Sequence, residues 1–313
     1  MSPPAGLHPE ARSRRSRVAD TVRRMRGLLE SVPNFSEGRD AATLDAIRRA
    51  LAAHARVLDV HADPDHNRSV FTLAADPPEG VERAAVQLAE AVARHVDTSW
   101  RDGVHPRLGA LDVVPFVALS GSPEARASAV RTAHYFAGWL ADAMDVPTFL
   151  YGEADPEERP LPRLRRDAFV RRAPDYGPAE PHPRLGATVV GARPALVAVN
   201  CELDRDDIDL ARRIAHDVRE SGGGLRGVRA LGFELTSRRR VQVSLNLTDL
   251  ETTGLEAACA EVARQARAEG ADLDRIELVG LLPRAALEDC GPAFRRRAQL
   301  DDDQTIEARL EER

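Results

Sequence analysis

A mixed α+β fold, two ferredoxin-like α/β sandwiches of βαββαβ type side by side, is predicted by three features of this 313-residue chain. Strand-like apolar runs alternate with helical patterns from Leu28 onward, the same order occurs twice, and the two occurrences divide near residue 195. The length suits about two domains. In the first half, Leu28–Pro33 reads as a strand and Ala41–Ala53 as a helix. Val57–His61 and Ser69–Ala74 follow as strands joined by the polar turn Asp63-Pro64-Asp65-His66-Asn67. Val81, Ala85, Leu88, Val92 and Val96 then share one face at helical spacing. Asp112–Leu119 is a strand, Glu124–Met144 a helix and Pro147–Tyr151 a strand. In the second half, Ala195–Asn200, Val228–Leu235, Val241–Leu247 and Ile276–Leu281 read as strands. Asp206–Arg219, ended by Gly222-Gly223-Gly224, and Thr252–Ala266 read as helices.

The flanks and the middle differ. Residues 1–26 carry Arg12, Arg14, Arg15, Arg17, Arg23, Arg24 and Arg26 against Glu10 and Asp20, with few large apolar side chains. They are expected to be a disordered basic extension, or to precede a natural start at Met25. The predicted subdomains span 27–194 and 195–295, and an acidic tail, 296–313, is expected to be a loose helix or frayed end. Between the halves, Glu153–Pro181 is rich in Pro and Arg and lacks periodicity, as a long functional loop would.

Composition narrows function. With 43% hydrophobic and 30% charged residues the chain has an ordinary globular mix, and no apolar run approaches a membrane span. A net charge of −6 excludes a bulk nucleic-acid binder. Cys201, Cys259 and Cys290 form no short metal-type spacing and suit a reducing cytoplasm.

The hexapeptide His105-Pro-Arg-Leu-Gly-Ala110 recurs as His182-Pro-Arg-Leu-Gly-Ala187, supporting a duplication whose loops meet at a cleft. Pro106 restricts the backbone of His105, and an imidazole in such a loop can accept and return a proton. The plainer reading of either histidine is a loop residue bonded to the main chain. Arg68, Arg107, Arg184 and Arg193 stand beside turn residues and suit a ligand with several carboxylates. His61, Asp63, Asp65 and His66 could form a metal site, although their spacing matches no helical ligand pair. Gln242, Ser244, Asn246 and Thr248 share one strand face, which is either the solvent side or a cleft wall.

Taken together, Ser31-Val-Pro-Asn-Phe-Ser-Glu-Gly-Arg39, Asn67-Arg-Ser-Val70, His105-Pro-Arg-Leu-Gly-Ala-Leu-Asp-Val113, Val146-Pro-Thr-Phe-Leu-Tyr-Gly-Glu-Ala154, Pro174-Asp-Tyr-Gly-Pro178, Gly186-Ala-Thr-Val-Val-Gly-Ala-Arg193 and Val241-Gln-Val-Ser-Leu-Asn-Leu247 resemble the formiminotransferase domain of formimidoyltransferase-cyclodeaminase and its free-standing bacterial relatives. The resemblance covers about residues 28–290 and implies a folate tunnel between two subdomains, a homodimer, and transfer of a formimidoyl group from N-formimidoyl-L-glutamate to tetrahydrofolate in histidine breakdown. It implies His105 as catalytic base. It implies a folate-contacting loop of Gly177, Pro178, Ala179, Glu180, Pro181, His182, Pro183, Arg184, Leu185 and Gly186. Tetrahydrofolate is the expected co-substrate, and no metal is needed because a protonated amidine is already electrophilic. Asp59, Glu153 and Asp249 are candidates to steady that amidine. Val104 stands where the family usually has Glu, and His61 where it often has Asp. The cyclodeaminase sequence is absent, so that step is expected of a separate protein. The alternatives are a metal-dependent amidine or amide hydrolase using the His61–His66 cluster, and a folate-binding protein without turnover.

Overall fold

A computed structural model describes residues 27–96, 105–235 and 237–312; residues 1–26 and Val104, which carry two of the expectations above, lie outside the described residues. The chain forms two sheets, each with helices on one face.

The first sheet has seven strands: β1 (Leu29–Ser31), β2 (Asn34–Phe35), β3 (Arg56–Asp63), β4 (Arg68–Ala75), β5 (Leu111–Ala118), β6 (Thr148–Gly152) and β7 (Thr188–Arg193). β1 and β2 are one interrupted path between β4 and β5, because Pro33 cannot donate to a ladder. β3 lies outside β4, while β7 and then β6 continue in parallel beyond β5. β7 is absent from the sequence-predicted order. Buried on both faces, its run Thr188-Val-Val-Gly-Ala192 shows no alternation.

Helices α1 (Ala41–Ala52), α2 (Glu79–His95) and α3 (Pro123–Met144) cover one face of this sheet. Asp40 caps α1 by accepting from Ala42 N, and Ser122 caps α3 by accepting from Ala125 N. Alternation along β4 sends Phe71 and Leu73 into the core with Ile47, Leu51 and Leu88, and leaves Arg68, Val70 and Thr72 on the opposite face.

The second sheet has four antiparallel strands in the order β11 (Leu273–Val279), β8 (Val197–Leu203), β10 (Arg240–Leu247), β9 (Val228–Leu235). Helices α5 (Ile208–Val218) and α6 (Leu255–Ala268) cover its outer face. Cys201 and Cys259 are buried there, their sulfurs 3.8 Å apart. The uncovered faces of the two sheets oppose one another, so Ser244 and Asn246 of β10 look toward Arg68 and Thr72 of β4 across a cleft.

Two expectations about irregular regions change. The segment 153–181 contains a short helix, α4 (Leu161–Asp167), whose Pro160-Leu161-Pro162 start is the signal for it. Residues 296–312 are not a loose tail. After α7 (Arg284–Glu288) and α8 (Pro292–Ala298), α9 (Ile306–Glu311) seats Ile306 against Leu58, Ala74 and Leu281, joining the halves. Arg56 holds the end of α9 by donating to the carbonyls of Arg309, Leu310 and Glu312. Both copies of the hexapeptide belong to the first sheet rather than one to each half. They lead into β5 and β7, which are adjacent and parallel.

Candidate functional site

The cleft between the sheets holds about 1310 Å³ of empty space, open to solvent. At one end lies the loop of His105. It is held in place by the second hexapeptide: Ala110 N donates to Leu185 O at 2.9 Å and Ala187 N to Leu108 O at 3.0 Å. Glycine is required at that crossing. A Cβ on Gly109 would lie 2.4 Å from the carbonyls of Leu185 and Ala187, and one on Gly186, at φ +74°, would run into the Leu108 carbonyl oxygen and the Gly109 α-carbon.

Asp112 organises this end. It is fully buried; its Oδ1 accepts from Leu108 N at 2.8 Å and its Oδ2 from Arg68 Nη1 at 2.8 Å, with Arg165 of α4 as a second ion-pair partner. Arg68 also donates twice to Asn34 Oδ1. Burial pulls the Arg68 guanidinium down to about 10, with Asp112 opposing. Two guanidiniums share one carboxylate, leaving net positive charge beside the imidazole.

The His105 ring stacks on Phe233 of the second sheet at 5.4 Å between centroids and lies 6.0 Å from the His66 ring. Its Nδ1 is 2.7 Å from Pro106 O and 3.4 Å from Arg68 Nη1. The shorter contact assigns the proton to Nδ1, donating to the carbonyl, and leaves Nε2 as a free lone pair. Burial, then Arg68 and Arg165, push the imidazole well below its ordinary range, so it stays neutral. A neutral imidazole fixed through Nδ1 can accept a proton at Nε2.

The remaining sequence-predicted residues separate. Arg107 is a staple, donating to the carbonyls of His66, Asn67 and His105. Arg193 lines the far end of the cleft. Within 177–186, Gly177, Pro178, Ala179, Glu180, Pro181, Pro183 and Arg184 are exposed, while Leu185 and Gly186 are buried against the His105 loop. His182 turns its ring inward on its own turn, where Nδ1 accepts from Arg184 N and Leu185 N. Of the amidine candidates, Glu153 is bound to Arg126 and Asp249 caps a turn at Thr252. Asp59 is half-buried on β3, and burial raises its carboxyl.

The His61–Asp63–Asp65–His66 group is dispersed rather than convergent. Asp63 accepts from His66 N, Asp65 accepts from Ser237 N and Oγ, and the His66 ring faces Gln242 and Phe233. Among the described residues no group of three or more His, Cys, Asp or Glu is placed to hold a metal.

Residues that sequence reasoning missed include Asn34, Glu30, Arg165 and Arg229. Glu30 is 3% exposed, and burial lifts its carboxyl to about 7. A charged residue inside an apolar strand, Leu28-Leu29-Glu30-Ser31, was the available signal. Thr72 Oγ1 and Arg165 Nε, on the cleft wall, are buried with no hydrogen-bond partner among the described residues. No helix among the described residues is long and apolar enough to cross a membrane.

Against known proteins, residues 28–193 match the formiminotransferase domain, N-terminal subdomain, and residues 198–312 the formiminotransferase domain. A glutamate formimidoyltransferase of Streptococcus pyogenes serotype M1 is 36% identical over 278 residues, 85% of this chain and 92% of that one. One from Thermoplasma acidophilum is 34% identical over 299 residues, covering 91% and 97%. The formimidoyltransferase-cyclodeaminase of Sus scrofa is 39% identical over 289 residues, covering 86% of this chain and 53% of that relative, so the chain spans about half of the bifunctional protein.

Proposed function

The chain belongs to the formiminotransferase family, and from that premise we propose that it transfers a formimidoyl group from N-formimidoyl-L-glutamate to tetrahydrofolate, with His105 as the base. The observation that carries this reading is the fixed imidazole: Nδ1 is committed to Pro106 O, and Nε2 stands beside an arginine-rich cleft.

N5 of tetrahydrofolate attacks the formimidoyl carbon, and His105 Nε2 takes the N5 proton as the tetrahedral centre forms. The imidazolium then returns a proton to the glutamate nitrogen as the C–N bond breaks, releasing glutamate and 5-formimidoyltetrahydrofolate. Arg68 and Arg165 disfavour the imidazolium, so the proton is readily passed on. Holding both substrates in one cleft supplies rate through proximity. We read the cleft as a folate tunnel and the two sheets as ferredoxin-like units, which the strand order β9-β10-β8-β11 supports. The proposed units are 27–194 and 195–295. Loop 177–186 is the proposed folate contact, supported by its pairing with the His105 loop. The proposed assembly is a homodimer.

The test is a direct assay with tetrahydrofolate and N-formimidoyl-L-glutamate, read after acidification as methenyltetrahydrofolate absorbance. Product from the wild type and little from His105→Ala is expected. Equal product from both would remove His105 from the chemistry; no product from either would send the search to other donors.

A further inference from the structure

The cleft has a second pole that the chemistry at His105 does not use. Val117 of β5 pairs with Glu30 on one side and Arg193 on the other. These residues therefore stand four positions along the sheet from Val113, roughly 13 Å from the Asp112 end at about 3.3 Å per residue. The facing sheet repeats the spacing. Gln242 meets His66, and Asn246, four residues on, pairs with Arg229. Arg193 and Arg229 thus arrive from the two halves at one level, and both also line an adjoining pocket with Tyr151, Leu196 and Thr248.

The charges at this pole do not balance. Among the described residues neither arginine forms a salt bridge: Arg193 donates to Pro194 O at 2.9 Å and bonds the buried Tyr151 hydroxyl. Of the nearby carboxyls, Glu153 is bound to Arg126, Glu220 accepts from Gly227 N, Glu158 is exposed, and Glu30 is close to half protonated at neutrality. Two half-desolvated like charges are unfavourable together unless an anion bridges them.

We propose that Arg193 and Arg229 form a carboxylate clamp for the glutamate tail of the folate co-substrate, at the opposite end of the cleft from His105. This rests on the transferase reading above. The chain of bonds from folate N5 through the aminobenzoyl ring to the α-carboxylate spans about 13 Å when extended, matching the separation of the two poles. The donor is too short: its carboxylates lie within roughly 6 Å of the formimidoyl carbon.

The experiment is calorimetric titration of the full chain with 5-formyltetrahydrofolate and with 5-formyltetrahydropteroate, which lacks the glutamate. The wild type should bind the folate at least about tenfold more tightly, the scale of a charge-assisted carboxylate contact. Arg229→Met and Arg193→Met should each remove most of that preference while leaving pteroate affinity within about twofold, with Arg229→Lys recovering part of it. The KM for formimidoylglutamate should stay within about twofold, and a melting curve checks folding. Equal weakening of both ligands, or a rise confined to the donor KM, would overturn the clamp. A wild type that binds the two ligands equally would overturn it without any variant. Failure to bind either would remove the transferase reading first, and the clamp with it.

Discussion

The two copies of His-Pro-Arg-Leu-Gly-Ala begin with the same six residues and end in different work. His105 turns its ring across the cleft onto Phe233 of the other sheet, whereas His182 turns its ring back onto the amides of Arg184 and Leu185. The backbones pair with each other through Gly109 and Gly186, so local sequence sets a shared frame. What separates them is the neighbourhood: one ring meets Arg68, His66 and a facing sheet, and the other accepts from the amides of its own turn. An identical motif therefore specifies a scaffold twice and a cleft-facing imidazole once.

The sharpest way to break this comparison is to remove each ring in turn. His105→Ala should lower kcat by about 10²- to 10⁴-fold, the usual contribution of a general base, with little loss of stability. His182→Ala should leave kcat within a few-fold and instead lower the melting temperature, by the ~1–2 kcal/mol that follows when backbone donors lose an acceptor. A comparable collapse of kcat in both variants would mean that the two rings share the chemistry.

The shared frame can be tested at its crossing. Gly186→Val forces a Cβ into the Leu108 carbonyl at a positive φ, and should destabilise by about 2–4 kcal/mol in chemical denaturation. Unchanged stability would mean that the loops separate easily and that the second copy does not hold the first.

Burial in the cleft also shifts titration. Glu30 has a folded value of about 7 against an ordinary 4.5, so the folded state holds a proton that the unfolded chain has released. Stability should therefore fall as pH rises from 4.5 through 7, by up to about 3 kcal/mol, and Glu30→Gln should flatten that slope. A wild-type profile as flat as the variant's would show that Glu30 ionises freely. The smallest expected effect concerns His105 itself. Its value is depressed and only its neutral form is the base, so the acid limb of kcat/KM should fall below pH 6.5. An acid limb at or above 6.5 would mean that Arg68 and Arg165 do not act on the ring.

Much of the architecture was legible from periodicity. Both halves showed their strands and helices because each element hides one face, and the alternation Gln242, Ser244, Asn246 on β10 follows from that. Where burial is two-sided, the pattern vanishes, and β7 went unread for that reason; the docking of α9 went unread because it rests on one buried side chain, Ile306, too little to make a pattern. The His105 loop and Arg68 could be found from residue type and turn context. Arg165 could not, because it reaches Asp112 from a short helix inside an aperiodic segment, and Arg229 could not, because a lone arginine on a strand reads as surface.

The amino-acid sequence by itself determined the two α/β units and the histidine loop with its proline and glycine. These depend on contacts close along the chain and on which side chains water excludes. Only the tertiary structure decided which of two identical histidines faces the cleft, which carboxylate Arg68 and Arg165 share, and that Arg193 and Arg229 meet from opposite halves. Those outcomes depend on charges and rings brought together across sheets, where burial sets protonation and no local pattern records the partner.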